Sequence, residues 1–264
     1  MPLPLLWKIE GERLPARSYL FGTMHVQDER AFTLTGQVLP LIDACAAFAA
    51  EFHLEELRVP ASSQRLMMPE GESLEDYISP HKFSKMRRII LKTTGIELKI
   101  MKNLLPFAIV NLIGAEMLLA ERPEHLDAYL WSYASESCKS MHGIETFEQQ
   151  LKTLERIPIN KQVKMLAGTV RNISGYRRKM EHFARLYERG ELSVLHKLMR
   201  KSAGGLRKQL LYDRNLVMAK RIEELAGQAS LFAAVGAGHL LGGKGLIRLL
   251  KKRGLKVKPV KLVL

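Results

Sequence analysis

Apolar and polar positions follow two rhythms along this chain. Five short runs are continuously apolar or alternate with a period of two, each bounded by glycine or charge: SYLFG from Ser18, AAFAAEF (46–52), CKSMHGI (138–144), LFAAVGA (231–237) and LKVKPVKLVL (255–264). They predict the strands of one sheet. Between them, apolar residues recur at three- and four-residue spacing in GQVLPLIDACA, SPHKFSKMRRIILKTT, PFAIVNLIGAEMLLAER, EHLDAYLWSYASE, TFEQQLKTLERI and the tract from Lys161 to Gln228. That last tract is interrupted near Gly190 and at Ala203-Gly204-Gly205, which predicts three helices within it. No linker rich in Pro, Gly or Ser divides the chain. The expected architecture is α/β: a single domain over 1–264, a central mixed sheet, and a helical insertion over about 73–228.

The strand ends carry the candidate chemistry. A strand leaving a core normally closes with turn residues, and Gly22 in SYLFGTMHV fits that, but His25 places a titratable, metal-competent imidazole at the same exit. Residues 231–264 repeat the order: strand, Gly236-Ala-Gly-His239, helix, strand. Two Gly-x-x-His spacings among 19 Gly and 8 His do not stand out by count, so the shared context carries the weight. Ligands of open α/β sheets bind beyond the carboxyl ends of the strands, and pairing the two related halves brings His25 and His239 together there. Two neutral imidazoles and a carboxylate suit Mn, Co or Zn and leave coordination positions open.

Glu51 ends AAFAAEF in the same half as His25, where it can ligate a metal or act as a general base with a raised pKa. His53, two residues on, is read as a surface residue. Glu145 follows CKSMHGI, and Thr146, Glu148 and Gln149 after it make a helix start that favours a carboxylate. Arg214 and Asn215 stand in the amphipathic LLYDRNLVMAKRI, with Asp213 and Glu223 as surface partners for the arginine. Gly22 and Gly236 allow close backbone approach at the site, and Gly238 shortens the turn before His239.

Composition narrows the classes. With 264 residues and 47% hydrophobic content the chain can bury a large core, so neither disorder nor fibre is expected. The opening MPLPLLWKIEGER has no basic n-region, and Lys8 and Glu10 interrupt its short apolar run, so no secretory signal is read and a cytoplasmic address is expected. The most apolar stretch, Asn103 to Ala120, carries Asn111 and Glu116 and reads as a core helix opened by Pro106 rather than a membrane span. Cys45 and Cys138 form no C-x-x-C unit, so neither a disulfide framework nor a zinc knuckle is indicated.

The net charge of +14, with eight basic residues and no acid from Lys244 to Leu264, would draw anionic lipid, nucleic acid or an acidic peptide. The same residues form the polar positions of an amphipathic helix and then of an alternating strand, which makes a solvated face. No aromatic-rich basic motif, zinc finger or helix-turn-helix supports nucleic-acid binding. There is no G-x-S-x-G elbow for a serine nucleophile, and GAGHLLGGKG has the wrong spacing for a phosphate loop. The oligomeric state stays open.

Taken together, LWKIEGE, SYLFGTMHV, AAEF, LMMPEGESLEDYI, LLPF, LDAYLWSYASESCKSMHGIETFEQQLKTLE, YDRNLVMAKRI and VGAGHLLGGKGLIRLLKKRGLKV resemble the TraB/PrgY/GumN group, which is related to the Tiki proteins and more distantly to ChaN-like and erythromycin esterase-like proteins. The resemblance spans nearly the whole chain, and the paired Gly-x-x-His motifs with GIETFEQQ between them are its specific part. It implies an α/β fold of two related halves and, as in Tiki-like members, a metal-dependent peptidase activity supported by manganese or cobalt. In the bacterial relatives the implied role is lowering the activity of a peptide pheromone. It also implies His25 and His239 as the paired site histidines, a site role for Glu145, and Arg214 reaching the site to bind a carboxylate or an oxyanion. Two rivals stay open: a metal-free, esterase-like hydrolase in which Glu51 and His25 activate water, and a non-catalytic protein that sequesters a peptide or haem-like ligand.

Overall fold

A computed structural model of the chain describes residues 4–58 and 64–261. Among these residues six strands form one mixed sheet: β1 (Leu6–Glu10), β2 (Ser18–Thr23), β3 (Ala47–Ala50), β4 (Ser140–Gly143), β5 (Leu231–Gly236) and β6 (Lys256–Pro259), in the order β4-β3-β5-β2-β1-β6. The half running β4-β3-β5-β2 is parallel, whereas β1 pairs antiparallel with both β2 and β6. Strands buried on both faces must be apolar throughout, and the central β2, β3 and β5 are buried along nearly their whole length. At the far edge β6 alternates, with Val257 inside and Lys256 and Lys258 exposed.

All five sheet segments read from the pattern become strands; β2 runs one residue beyond SYLFG, and the other four are shorter than their runs. In LKVKPVKLVL only 256–259 is strand, and 262–264 lie outside the described residues. β1 is an addition. LWKIE is too short and too mixed to stand out as a strand by itself, and its pairing with β2 and β6 is what organises it.

Ten α-helices are described: α1 (Thr35–Asp43), α2 (Pro80–Thr94), α3 (Pro106–Ala115), α4 (Leu126–Glu136), α5 (Phe147–Glu155), α6 (Ile159–Arg171), α7 (Ile173–Glu188), α8 (Leu192–Ala203), α9 (Arg214–Gln228) and α10 (Leu246–Lys252). The tract from Lys161 to Gln228 therefore holds four helices rather than three. Its breaks at Gly190 and Gly204 are present, and a further one falls at Asn172, whose backbone leaves the helical region between α6 and α7 with no glycine or proline to announce it. Lys208–Asp213 adds a π-helical turn directly before α9. The apolar stretch from Asn103 is a helix opened by Pro106, as read, but it ends at Ala115. Among the described residues no helix is long and apolar enough to cross a membrane.

The main core lies between the sheet and its flanking helices, with the Phe48 and Phe232 rings stacked 6.0 Å apart on adjacent strands. A second apolar cluster joins Leu74, Phe83, Ile90, Ile109, Ile113 and Leu166 from α2, α3, α6 and a preceding turn, and Met180 of α7 packs against both. Tyr187 of α7 is buried and donates its hydroxyl to the Gly22 carbonyl at 2.7 Å, tying the helical layer to the end of β2. The basic residues of the last segment, Arg248, Lys251, Lys252, Lys256 and Lys258, are exposed on α10 and β6.

Candidate active site

Parallel pairing sets the carboxyl ends of four strands side by side, and nearly every residue singled out from the sequence lies on that edge. Gly22 pairs with Val235 and Thr23 with Gly236, so the two Gly-x-x-His turns leave the sheet from adjacent strands. Glu51 follows β3, on the other side of β5, and Glu145 lies two residues beyond the outer strand β4. The second strands of the two halves diverge: β3 runs parallel beside β5, whereas β6 crosses to pair antiparallel with β1.

Arg214 is the centre of the cluster. Its guanidinium donates from Nη2 to Glu51 Oε2 at 2.6 Å and from Nε to Glu145 Oε2 at 2.8 Å, with Nη2 also 2.7 Å from that oxygen. The expected surface pairing with Asp213 or Glu223 does not form: Asp213 is bonded by Lys208 and Glu223 by Arg253. The π-helical turn ahead of α9 immediately precedes this arginine, a placement that recurs at functional sites.

Two carboxylates share one guanidinium, and their environments separate them. Burial works to raise the Glu51 pKa, but Arg214, His239 and the Gly236 N–H, which donates to Oε1 at 2.8 Å, bring it down to about 2. Glu145 is 3% exposed, and its burial outweighs Arg214 and leaves its pKa raised. The carboxyl with the raised pKa is thus Glu145, not the Glu51 expected from the sequence, because Glu51 also faces His239 and receives a backbone N–H, whereas Glu145 lies against the charge of Glu51. A Cβ on Gly236 would come within 2.9 Å of Glu51 Oε1, so glycine here leaves room for that carboxylate. Gly22 meets a different constraint: a Cβ would lie 2.6 Å from Leu240 Cδ1 and 3.2 Å from Ala237 Cα, in the turn that carries His239.

His239 is buried, and burial lowers its pKa to about 4, so the ring is neutral at physiological pH. Its Nδ1 lies 2.6 Å from Asn215 Oδ1, while Asn215 Nδ2 donates to the carbonyls of His239 and Lys244 at 3.3 and 2.8 Å. Those two carbonyls assign the amide orientation, which makes Nδ1 the protonated nitrogen and leaves the Nε2 lone pair facing Glu51 Oε1 at 3.7 Å. Asn215 therefore acts on the histidine from behind. Adjacent residues of one helix, Arg214 and Asn215, grip the ends of three strands.

His25 occupies the same edge but sits at its mouth, with 67% of its side chain exposed. Its Nδ1 is 3.2 Å from Asp127 Oδ2, and its ring stacks on His125 at 4.2 Å. Loss of hydration works to lower its pKa, yet the Asp127 hydrogen bond and charge, together with the charge of Glu51, hold it above the ordinary value. Asp127 was not singled out in the sequence, nor were His125, Gln150 (which donates to Glu51 Oε2 at 3.3 Å) and Tyr187. All lie in segments whose helical spacing accounts for them. Only LDAYLW offered a signal, an acid in a matched segment.

His53, expected at the surface, is half-buried edge-on to Trp131 at 4.6 Å and lines a cleft of about 490 Å³. Met141, His142, Gly143, Glu145 and Lys220 also face this cleft, so it opens beside the carboxylate cluster.

The donors suit a divalent ion in kind: His239 offers a neutral imidazole nitrogen and Glu51 an ionised carboxylate. They stop at two, since among the described residues no three His, Cys, Asp or Glu side chains lie close enough to hold a metal.

Comparison with known proteins adds relatives that cover nearly all of the chain. It is 22% identical over 315 residues to metalloprotease TIKI1 of Danio rerio, covering 96% of this chain and 62% of that protein. It is 21% identical to metalloprotease TIKI2 of Xenopus tropicalis, covering 96% and 59%, and 19% identical to an uncharacterized protein of Treponema pallidum (strain Nichols), covering 95% and 81%. The chain thus spans about three fifths of the length of the TIKI proteins it matches. No solved structure matches it. The TraB/PrgY/gumN family model matches residues 5–259, and the chain belongs to that family.

Proposed function

We propose that this protein is a hydrolase that cleaves a peptide or related acyl bond at the carboxyl edge of its sheet. The observation that carries the reading is the convergence of His239, Glu51, Arg214 and Glu145 from separate strands and a helix onto one edge. The similarity to the TIKI metalloproteases supports a hydrolytic, peptidase-like role in general terms.

Each residue has a chemical task in this reading. Arg214, held by two carboxylates through Nε and Nη2 and keeping the two N–H groups of Nη1, orients a substrate carbonyl and stabilises the oxyanion that forms on it. Glu51 and Glu145 keep that guanidinium in place. His239 presents an unprotonated Nε2 to the same space. His25, at the mouth, takes and returns the proton, since its basicity is tuned upward toward the working range of a general acid–base. Gly22 and Gly236 let the turn that carries His239 and the Glu51 carboxylate pack closely against the strand ends.

A divalent ion, Mn, Co or Zn, would be held by His239 Nε2 and Glu51. Bound there, it would supply Lewis-acid polarisation and a lowered pKa for water. Donor type and the TIKI similarity support this part of the reading.

The test is a screen of quenched fluorescent peptides with chelator-free protein, with and without added Mn, Co and Zn, alongside metal content by mass spectrometry. Cleavage that is lost in Glu51→Gln and His239→Ala, with bound metal reduced in both, is the expected result. Wild-type protein that cleaves nothing under any of these conditions, or activity indifferent to both substitutions, would overturn it.

A further inference from the structure

We propose that Asp127 is a positioning residue for His25: its carboxylate holds the imidazole with the proton on Nδ1 and so makes Nε2 the nitrogen that works at the sheet edge. What Nε2 then does rests on the hydrolase reading. How the ring is held rests on geometry alone.

Asp127 lies in the first turn of α4, more than 100 residues from the strand it serves. Its Oδ1 accepts the hydroxyl of Thr23, the buried last residue of β2, at 2.5 Å, and its Oδ2 lies 3.2 Å from His25 Nδ1. One carboxylate therefore bridges the rigid strand end and the imidazole two residues beyond it. An ionised carboxylate has no proton to give, so the nitrogen facing it must be the donor, and the other ring nitrogen keeps its lone pair. The ring is fixed on a second side by His125, stacked at 4.2 Å with 23° between the planes. An exposed histidine without such partners would sample several rotamers and both tautomers.

The second Gly-x-x-His turn uses the same device. His239 has its Nδ1 tied to Asn215 Oδ1, which leaves its Nε2 toward Glu51. Both histidines of the repeat thus have Nδ1 held by a helix side chain and Nε2 free. The anchors differ in charge, an amide behind the buried ring and a carboxylate behind the exposed one. This assigns the two imidazoles different work: His239 stays neutral against a neutral partner, while a positive charge arising on His25 is met by Asp127. Outer partners that fix a histidine's tautomer and orientation are worth about 10–100-fold in activity or affinity when removed.

The experiment is long-range ¹H–¹⁵N correlation on the full chain labelled with ¹⁵N-histidine at pH 9, where the imidazoles are neutral, with His25 assigned by its loss in His25→Gln. Wild-type protein should show the proton on Nδ1 and a bare Nε2. In Asp127→Asn the amide oxygen still accepts the Thr23 hydroxyl, so its NH₂ faces the ring, donates to Nδ1 and moves the imidazole proton to Nε2. A wild-type ring protonated on Nε2 overturns the proposal, as does an Asn variant with the wild-type tautomer. If the Asn variant does not fold, the wild-type spectrum decides. On a peptide that the wild type cleaves, kcat should fall about 10–100-fold in Asp127→Asn with KM within about twofold. An unchanged kcat despite an exchanged tautomer removes Asp127 from the reaction and leaves the hydrolase reading standing. If the wild type cleaves no peptide, that reading fails and the tautomer measurement still decides the positioning.

Discussion

Replacing Arg214 by methionine keeps an unbranched apolar stem and removes the one cation between Glu51 and Glu145. Three short contacts to two carboxylates vanish with it. Removing one partner of a buried ion pair costs about 3–5 kcal/mol, because the remaining charge is left without compensation. Here Glu145 is 3% exposed and Glu51 is 22% exposed, so water at the mouth of the site relieves part of the penalty and about 3 kcal/mol is expected. For a chain of this size that is a fall of roughly 6–12 °C in the unfolding midpoint. The double variant Arg214→Met/Glu145→Gln separates charge from packing. If the cost is electrostatic, neutralising the more buried carboxylate returns about 1–2 kcal/mol, since Glu51 keeps the Gly236 N–H. Thermal and urea unfolding followed by circular dichroism at pH 7.5 give both numbers. A single variant within about 2 °C of wild type, or a double variant less stable than the single one, would refute the claim that Arg214 is held by two ionic carboxylates.

Other expectations follow from the same geometry. His239 titrates near 4 in the folded chain against 6.5 as its ordinary value, so the unfolded state takes up a proton first and stability declines as pH falls through that window, by up to about 3 kcal/mol. Urea midpoints from pH 7 to 4 should show this slope, and His239→Gln should flatten it. Glu51 acts lower: its depressed pKa contributes stability that is complete above about 4.5 and is lost as pH falls toward 2, so Glu51→Gln should narrow the acid limb of the unfolding curve. Gly236→Ala keeps an allowed backbone but puts a methyl against Glu51 Oε1, and should lower kcat/KM on any cleaved peptide about tenfold or more with an unchanged circular dichroism spectrum. An Ala variant as active as wild type would show that Glu51 is not held against that turn. Tyr187→Phe loses a buried bond to the Gly22 carbonyl and should destabilise by about 1 kcal/mol, read as a shifted urea midpoint.

The amino-acid order by itself determined the α/β class, the places where five strands lie, and the emergence of His25 and His239 at two matching strand ends. It could do so because these are local matters: burial on both faces demands unbroken apolar runs, an amphipathic helix demands three- and four-residue spacing, and Gly-x-x-His spans only four positions. It also placed Glu51 and Glu145 next to strand ends, although the expectation that Glu51 would be the carboxyl of raised pKa fell to contacts it could not register. LWKIE as β1 and the break at Asn172 went unread because neither carries a local signal. Only the tertiary structure decided which charges meet. Glu51 and Arg214 are separated by 163 positions, and His25 and Asp127 by 102, and no periodicity reports a pairing across such distances. Spacing alone left Arg214 a cation on an amphipathic helix that only the family resemblance carried to the site, and Asp127 was not singled out; the parallel register of β2, β5, β3 and β4 brings their partners to one edge. Hydrophobic pattern acts through each element alone, whereas a site is built from polar side chains whose partners are chosen by how those elements pack.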